Sequence, residues 1–239
     1  MKIDIHVHTA ASPDSALTLE DVAAAAAKAG LFACAVCDRD GYTLPASRKI
    51  AGVLLLPGCE FTVGNGSVLA LFCDREPDLS LTMGGSVPSV RTVADEIHRC
   101  GGLAVGVPSA DKNAPFFTAD ELSCLDALET RCAHREAVAP RAFERAGYEA
   151  SARGLCALGG SGACFAGEVG AAVTLLVGEA PRSAVQSGRC RPAALRRFAR
   201  RYFRRSELLE AKARRDYLSI PVLWLCYVWA RFVDFIRSR

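Results

Sequence analysis

A parallel α/β barrel is the fold class this sequence predicts, and three observations predict it. The 239 residues are 51% hydrophobic and 23% charged, which supports a sizeable buried core and excludes a disordered chain. Short apolar runs alternate with helical patterns and turn residues as far as about residue 177. Those runs are continuously apolar, the pattern of parallel strands covered on both faces, and seven or so such units fit a barrel better than an open sheet.

Ile3 to Val7 reads as the first strand. Thr18 opens a helix with an Ala-rich interior, Leu19 to Ala29, that stops at Gly30, and Asp21 completes a loose capping box. Leu31 to Cys37, Val53 to Leu56 and Ser67 to Phe72 are strand-like, with Gly64-Asn65-Gly66 as a hairpin or loop turn. Arg91 to Arg99 is helical and ends at Gly101-Gly102. Leu103 to Val107 is a strand stopped by Pro108, and Cys124 to Leu128 is another. Ala133 to Arg153 is a long helical stretch ending at Gly154, followed by the strands Leu155 to Leu158 and Ala172 to Val177. This organisation predicts a barrel over residues 1–185 and a helical tail over 186–239.

Charge divides the chain in the same place. Residues 1–188 hold 15 basic and 22 acidic side chains, and residues 189–239 hold 14 and 4. Eleven cysteines sit within apolar runs and no signal peptide opens the chain, which fits reduced thiols and a cytoplasmic setting. Cys34 and Cys37 are spaced so that their thiols leave a strand on opposite faces, which makes them packing residues.

The strongest chemical signal is His6-Val7-His8 at the end of the first strand. Imidazoles at i and i+2 share a face, at the barrel rim where parallel barrels build their sites. They read either as metal ligands or as a buried hydrogen-bonded pair. Acids follow at equivalent places: Asp14, Asp38 with Asp40, and Glu60 in Pro57-Gly58-Cys59-Glu60.

The ordered set DIHVHTAASPDS, FACAVCDRDGYT, PGCEFT, GGLAVGVP, LDALETR and GGSGACFAGEVGAAVT resembles the PHP (polymerase and histidinol phosphatase) family over roughly residues 1–180, especially its stand-alone phosphoesterases. The resemblance implies a distorted TIM-like β/α barrel that holds up to three metal ions at its rim and hydrolyses phosphate esters. Several ligand positions depart from it. Cys37-Asp38-Arg39 stands where the family has T-D-H, and Val107-Pro108 where it has H-P. Gly160-Ser161-Gly162-Ala163-Cys164 stands for G-S-D-A-H, and no His lies at Ser67 or Val68, where some relatives have one.

His6, His8 and Glu60 carry over, Asp14 follows a stretched spacing, and Cys164 offers a soft ligand. That set implies at most one divalent ion (zinc, manganese or iron) or a metal-free site. Arg39 cannot ligate a metal. It either turns inward, replacing a metal's charge and binding phosphate, or swings out to solvent. Asp38 and Arg39 are therefore the expected catalytic pair. Glu129, a rim acid, is expected to orient a neighbour or pair with Arg131. His134 is expected to be solvated, His98 to serve a helix end and Glu168 to be structural.

In the tail, LRRFARRYFRR places Leu195, Phe198, Tyr202 and Phe203 at helical spacing among arginines. The apolar stretch Ile220 to Ala230 stops at Arg231, short of the ~18 continuous residues a spanning helix needs. The tail reads either as an interfacial helix on an anionic membrane surface or as a terminal helix packed on the barrel or another subunit. Nucleic-acid binding ranks below both. Two functions fit: a phosphoesterase with a reduced metal site, or an inactive descendant that binds a phosphorylated small molecule or partner, peripheral to a membrane in the second case.

Overall fold

The computed structural model describes residues 1–80, 86–178, 180–196 and 198–237; Arg197 and Arg239 of the basic tail lie outside them. In chain order the elements are β1 (Lys2–Val7), α1 (Leu19–Lys28), β2 (Ala33–Arg39), β3 (Arg48–Ile50), β4 (Val53–Val63), β5 (Gly66–Leu71), α2 (Val90–Arg99), β6 (Leu103–Pro108), α3 (Ala119–Leu122), β7 (Ala127–Cys132), α4 (Ala133–Glu136), α5 (Pro140–Arg153), β8 (Cys156–Gly160), β9 (Ala172–Leu176), α6 (Pro181–Gln186), β10 (Cys190–Ala194), α7 (Arg200–Ala213) and α8 (Ile220–Arg237).

The strands form one barrel-shaped sheet in the order β10-β9-β1-β2-β4-β5-β6-β7-β8, with β3 on the side of β4. Closure across the β8–β9 seam rests on Thr174, whose Oγ1 accepts from Gly159 N and donates to Gly159 O, both at 2.9 Å. Glycine is required there, because a Cβ at 159 would stand 2.6 Å from Val173 O. The interior holds Ile3, Ile5, Ala35, Cys37, Leu69, Val105 and Leu158. Outside, Val22 and Ala26 of α1 cover Cys34 and Val36, and Val93 and Ile97 of α2 cover Phe61 and Val68. Cys34 and Cys37 thus lie on opposite faces, as their spacing requires.

Three expectations are corrected. The sheet is not wholly parallel: β1–β2–β4 and β6–β7–β8 are, but β5 is antiparallel to both neighbours and β9 is antiparallel to β1 and β10. The Gly64-Asn65 connection between β4 and β5 is far too short for a crossover, so only a hairpin can form. The helical stretch 133–153 is two helices, because Pro140 has no N–H to continue the ladder and starts α5 instead. The sheet also runs past residue 185: β10 pairs with β9 through Cys190–Leu176 to Ala194–Ala172. Only residues beyond Ala194 are helical tail. At α1 the capping box is complete, with Asp21 N donating to Thr18 Oγ1 at 3.1 Å and Thr18 N to Asp21 Oδ2 at 3.0 Å.

The tail folds back onto the barrel rim. Tyr202 of α7 stacks on Phe165 (centroids 5.9 Å apart), and Ser206 Oγ lies 2.9 Å from His134 Nε2. Asp234 of α8 accepts from the N–H groups of Arg200 (3.1 Å) and Arg201 (2.9 Å), so α8 caps the start of α7. Among the described residues, no helix is long and apolar enough to cross a membrane.

Candidate metal centre at the barrel rim

Strand alternation puts His6 and His8 on one face of β1, and the parallel register sets Arg39 of β2 beside Glu60 of β4. The imidazole Nε2 atoms of His6 and His8 lie 3.1 Å apart, and Glu60 Oε2 lies 3.6 Å from the first and 3.5 Å from the second. All three residues are buried.

These three edges suit a metal ion. Zinc bonds nitrogen and oxygen at about 2.0–2.1 Å, so the corners of its tetrahedron stand roughly 3.3–3.4 Å apart. Two nitrogens and one oxygen at 3.1–3.6 Å make one face of such a tetrahedron and leave the fourth corner free. Glu60 Oε2 is buried and accepts no hydrogen bond from any described residue, an orphan acceptor that a cation would satisfy.

The surrounding groups fix both rings. His6 Nδ1 faces the Glu129 carboxylate at 3.2 and 3.3 Å. His8 Nδ1 faces Ser12 Oγ at 3.2 Å, and that hydroxyl is held by donating to Asp38 Oδ1 at 2.7 Å. With both Nδ1 atoms engaged as donors, both Nε2 atoms point at the common centre. Gly160 is obligatory behind this arrangement, since a Cβ there would stand 2.5 Å from Glu129 Oε1 and 2.7 Å from His6 Cβ.

Two arginines balance the acids. Arg39 turns inward, with its Nη2 2.8 Å and its Nε 3.1 Å from Asp14 Oδ2, and its Nη1 3.4 Å from Glu60 Oε2. Arg135, from α4, donates to Glu60 Oε1 and to Ser67 Oγ. Burial alone would raise the Glu60 pKa, but Arg135, Arg39 and His6 outweigh it and hold the carboxyl well below its usual range. For Asp14, too, burial is outweighed, by His8 and Arg39, and its pKa is lowered. Burial disfavours a charged His6, yet Glu129 and Glu60 raise its pKa well above the ordinary value. Burial lowers His8 to about 3. The two shifts run in opposite directions, which favours one positive charge over two on the pair.

The sequence-predicted residues thus divide. His6, His8 and Glu60 meet at one point. Asp14 stands apart, in the grip of Arg39. Asp38 is wholly occupied: its carboxylate accepts from Thr9 N and Thr9 Oγ1 (both 2.6 Å), Ser12 Oγ and Thr43 Oγ1 (2.6 Å). It shapes the β1 loop and is not free to act as an acid or base at the mouth. Cys164 is buried and in contact with Gly162 O, outside the donor groups found among the described residues; the sulfur that does approach His6, together with Glu129, is Cys132. Burial and the neighbouring Glu129 push the Cys132 thiol up to about 12, which makes it a poor ligand beside Glu60.

Other expectations change as well. His134 is buried, not solvated, between Glu168 (Nδ1 to Oε1, 2.7 Å) and Ser206. Of the two roles expected of Glu129, it orients a neighbour, His6, while Arg131 pairs with Glu136 at 2.5 Å. Arg135 was not anticipated. Its only trace in the sequence is a charged run, Arg135-Glu136, directly after a rim strand.

Comparison with known proteins agrees at the level of the fold. No family model matches the chain, and no curated relative matches its sequence. Among solved structures it is similar to PsfC from Pseudomonas syringae, at 17% identity and a TM-score of 0.57 over 89% of this chain and 97% of that one. It is also similar to a candidate metal-dependent phosphoesterase from Bifidobacterium adolescentis (18% identity, TM-score 0.54, 70% of this chain and 88% of that one). A two-domain Bacteroides vulgatus protein containing a predicted PHP-like metal-dependent phosphoesterase shares 15% identity, with a TM-score of 0.57 over 81% of this chain and 64% of that one. These likenesses show a shared α/β-barrel fold. An amidohydrolase from Chromobacterium violaceum, solved with bound sulfate and no metal, has the same general architecture (16% identity, TM-score 0.52, 71% of this chain and 90% of that one).

Proposed function

We propose that this PHP-like chain hydrolyses phosphate esters with a reduced centre: one divalent ion held by His6, His8 and Glu60, and Arg39 in place of a second cation. The observation that carries the reading is the triangle of donors with edges of 3.1, 3.5 and 3.6 Å around an unsatisfied carboxylate oxygen. The metal-dependent phosphoesterases among its structural neighbours support the reaction class.

A divalent ion supplies Lewis acidity at a phosphoryl oxygen and makes water nucleophilic near neutral pH. The chain's own residues do the rest. Glu129 and Ser12 hold the imidazoles so that Nε2 faces the mouth, and Arg135 keeps Glu60 ionised. Arg39, a quarter exposed, holds its guanidinium at the mouth between Asp14 and Glu60, and a phosphate oxygen that binds it takes the place of one of those acids. The substrate class is a small phosphorylated molecule.

A second reading is favoured by one observation: Arg39 and Arg135 both lie against Glu60, so the acid already has cationic partners. In that reading the mouth binds a phosphorylated ligand without hydrolysing it, in keeping with the sulfate in the metal-free amidohydrolase. Metal content of protein purified without chelator, measured beside turnover of p-nitrophenyl phosphate by wild type and His8→Ala, separates the two. Stoichiometric metal with turnover lost in His8→Ala supports the enzyme. Metal-free protein without turnover refutes it.

A further inference from the structure

The helix α8 presents a broad apolar surface to solvent. Val222, Leu225, Trp229, Phe232 and Ile236 follow one another by three or four residues along one side, and each is more than half exposed. Trp224 flanks them at 55% exposure. The opposite side of the helix is the one that docks: Ala230 and Asp234 are buried, and Asp234 caps α7. The apolar face is therefore not what holds α8 in place, and leaving it in water costs free energy that some occupant would recover.

Charge selects the occupant. Residues 189–239 carry 14 basic side chains against 4 acidic, whereas residues 1–188 carry 15 against 22. Lys212 in the last turn of α7 and Arg214 and Arg215 on the connection that leads into α8 are exposed, and so is Arg231 on α8 itself. A second copy of the chain would bring one strongly basic tail against another. An anionic lipid layer complements both features, since its headgroups meet the arginines while the acyl boundary takes the tryptophans, Leu225 and Phe232. Arg231 and Asp234 within α8 suit a helix lying in the plane of the interface and not one crossing it.

We infer that α8 is a peripheral docking element that lays its Val222–Leu225–Trp229–Phe232–Ile236 face into the surface of an anionic bilayer. The site is independent of whether the barrel holds a metal. Because the spacing of these residues would also suit a helix–helix seam, a second copy is the competing occupant.

The chain has only two tryptophans, and both are on α8, so selectively excited tryptophan emission reports this helix alone. The full-length protein is mixed with vesicles of phosphatidylcholine, with or without phosphatidylglycerol, and both sedimentation and tryptophan emission are read. Expected are co-sedimentation and a blue shift with phosphatidylglycerol vesicles, both reversed by high salt. The double variant Leu225→Ser/Phe232→Ser keeps both tryptophans and alters only exposed positions. Its vesicle partitioning falls by at least about tenfold while its circular dichroism is unchanged. Three outcomes overturn the inference: no sedimentation or shift with anionic vesicles, equal binding to neutral and anionic vesicles, or a blue shift without vesicles that grows with protein concentration alongside a two-chain mass in light scattering. The last would assign the face to a second copy.

Discussion

If His6, His8 and Glu60 form a one-ion centre, Arg39 must weaken it, and the size of that effect follows from the structure. Its Nη1 lies 3.4 Å from Glu60 Oε2, the oxygen a metal would take. Unit charges at that distance attract by about 1.2 kcal/mol at the dielectric of water and about 5 kcal/mol at an effective dielectric of 20. With a quarter of the Arg39 side chain exposed, the lower half of that range applies, roughly 1.2–3 kcal/mol. Arg39→Gln removes this competitor, so zinc should bind about tenfold or more tightly than to wild type. The same substitution leaves buried Asp14 Oδ2 without the two donors that hold it, at a cost of about 2–3 kcal/mol, or roughly 4–12 °C in Tm for a chain of this size.

Thermal unfolding with and without zinc tests both signs in one assay. Zinc at about a hundredfold over its Kd should stabilise wild type by about 2.7 kcal/mol, a rise of roughly 5–10 °C. Arg39→Gln should begin lower, rise further and reach its half-maximal shift at a lower zinc concentration. His8→Ala should not respond. If wild type and Arg39→Gln are both indifferent to zinc, manganese and iron, the three donors do not form a metal site. If Arg39→Gln binds zinc no better than wild type, the assignment of Arg39 as a competing cation is wrong.

Three further outcomes follow from the same coordinates. Arg135→Gln breaks a buried ion pair with Glu60 and should cost about 3 kcal/mol at pH 7, measured by chemical denaturation. Because Glu60 titrates well below its ordinary value in the folded chain, that stabilisation is present above its unfolded pKa of about 4.5 and is lost as pH falls toward the folded pKa. The gap between wild type and Arg135→Gln should accordingly narrow below about pH 4. Gly160→Ala places a Cβ 2.7 Å from His6 Cβ and should destabilise by about 1–3 kcal/mol, seen as a lower Tm with or without metal. Asp234→Ala removes the acceptor for the Arg200 and Arg201 amides and should cost about 1–2 kcal/mol locally, read as faster amide exchange in α7 with the barrel amides unchanged.

Much of the fold was legible because strand hydrophobicity and turn chemistry are local. The β1 run, the Thr18 cap, the Gly64-Asn65 turn and the placement of Cys34 and Cys37 on opposite faces all follow from residues near one another in the chain. The final strand, β10, was hidden because Cys190-Arg191-Pro192-Ala193-Ala194 alternates charge and proline with small residues and reads as a linker. Only its pairing with β9 across the short α6 makes it a strand. Within the site, His6 and His8 were legible from a period of two, and Glu60 from its place at a strand end. Asp38, near the end of β2, reads as a rim acid in the sequence, and only the structure shows the four donors that hold its carboxylate. Arg135 and Glu129 could not be assigned from spacing, because their partners, Glu60 and His6, lie 75 and 123 residues away.

The same long-range contacts balance the charge of the mouth. Glu60 needs positive charge whether or not a metal is present, since a bare carboxylate at full burial would otherwise protonate or destabilise the barrel. Arg135 meets that need from the side of Ser67, and Arg39 meets it from the end of β2. With those two guanidinium groups in place, the charge on Glu60 is balanced by the chain itself. The donor triangle lies within about 0.3 Å of tetrahedral spacing with both Nδ1 atoms held by Glu129 and Ser12, but its shortest edge is also a His6–His8 hydrogen bond, so spacing alone fits a shared proton as well as an ion and the zinc titration is what separates the two.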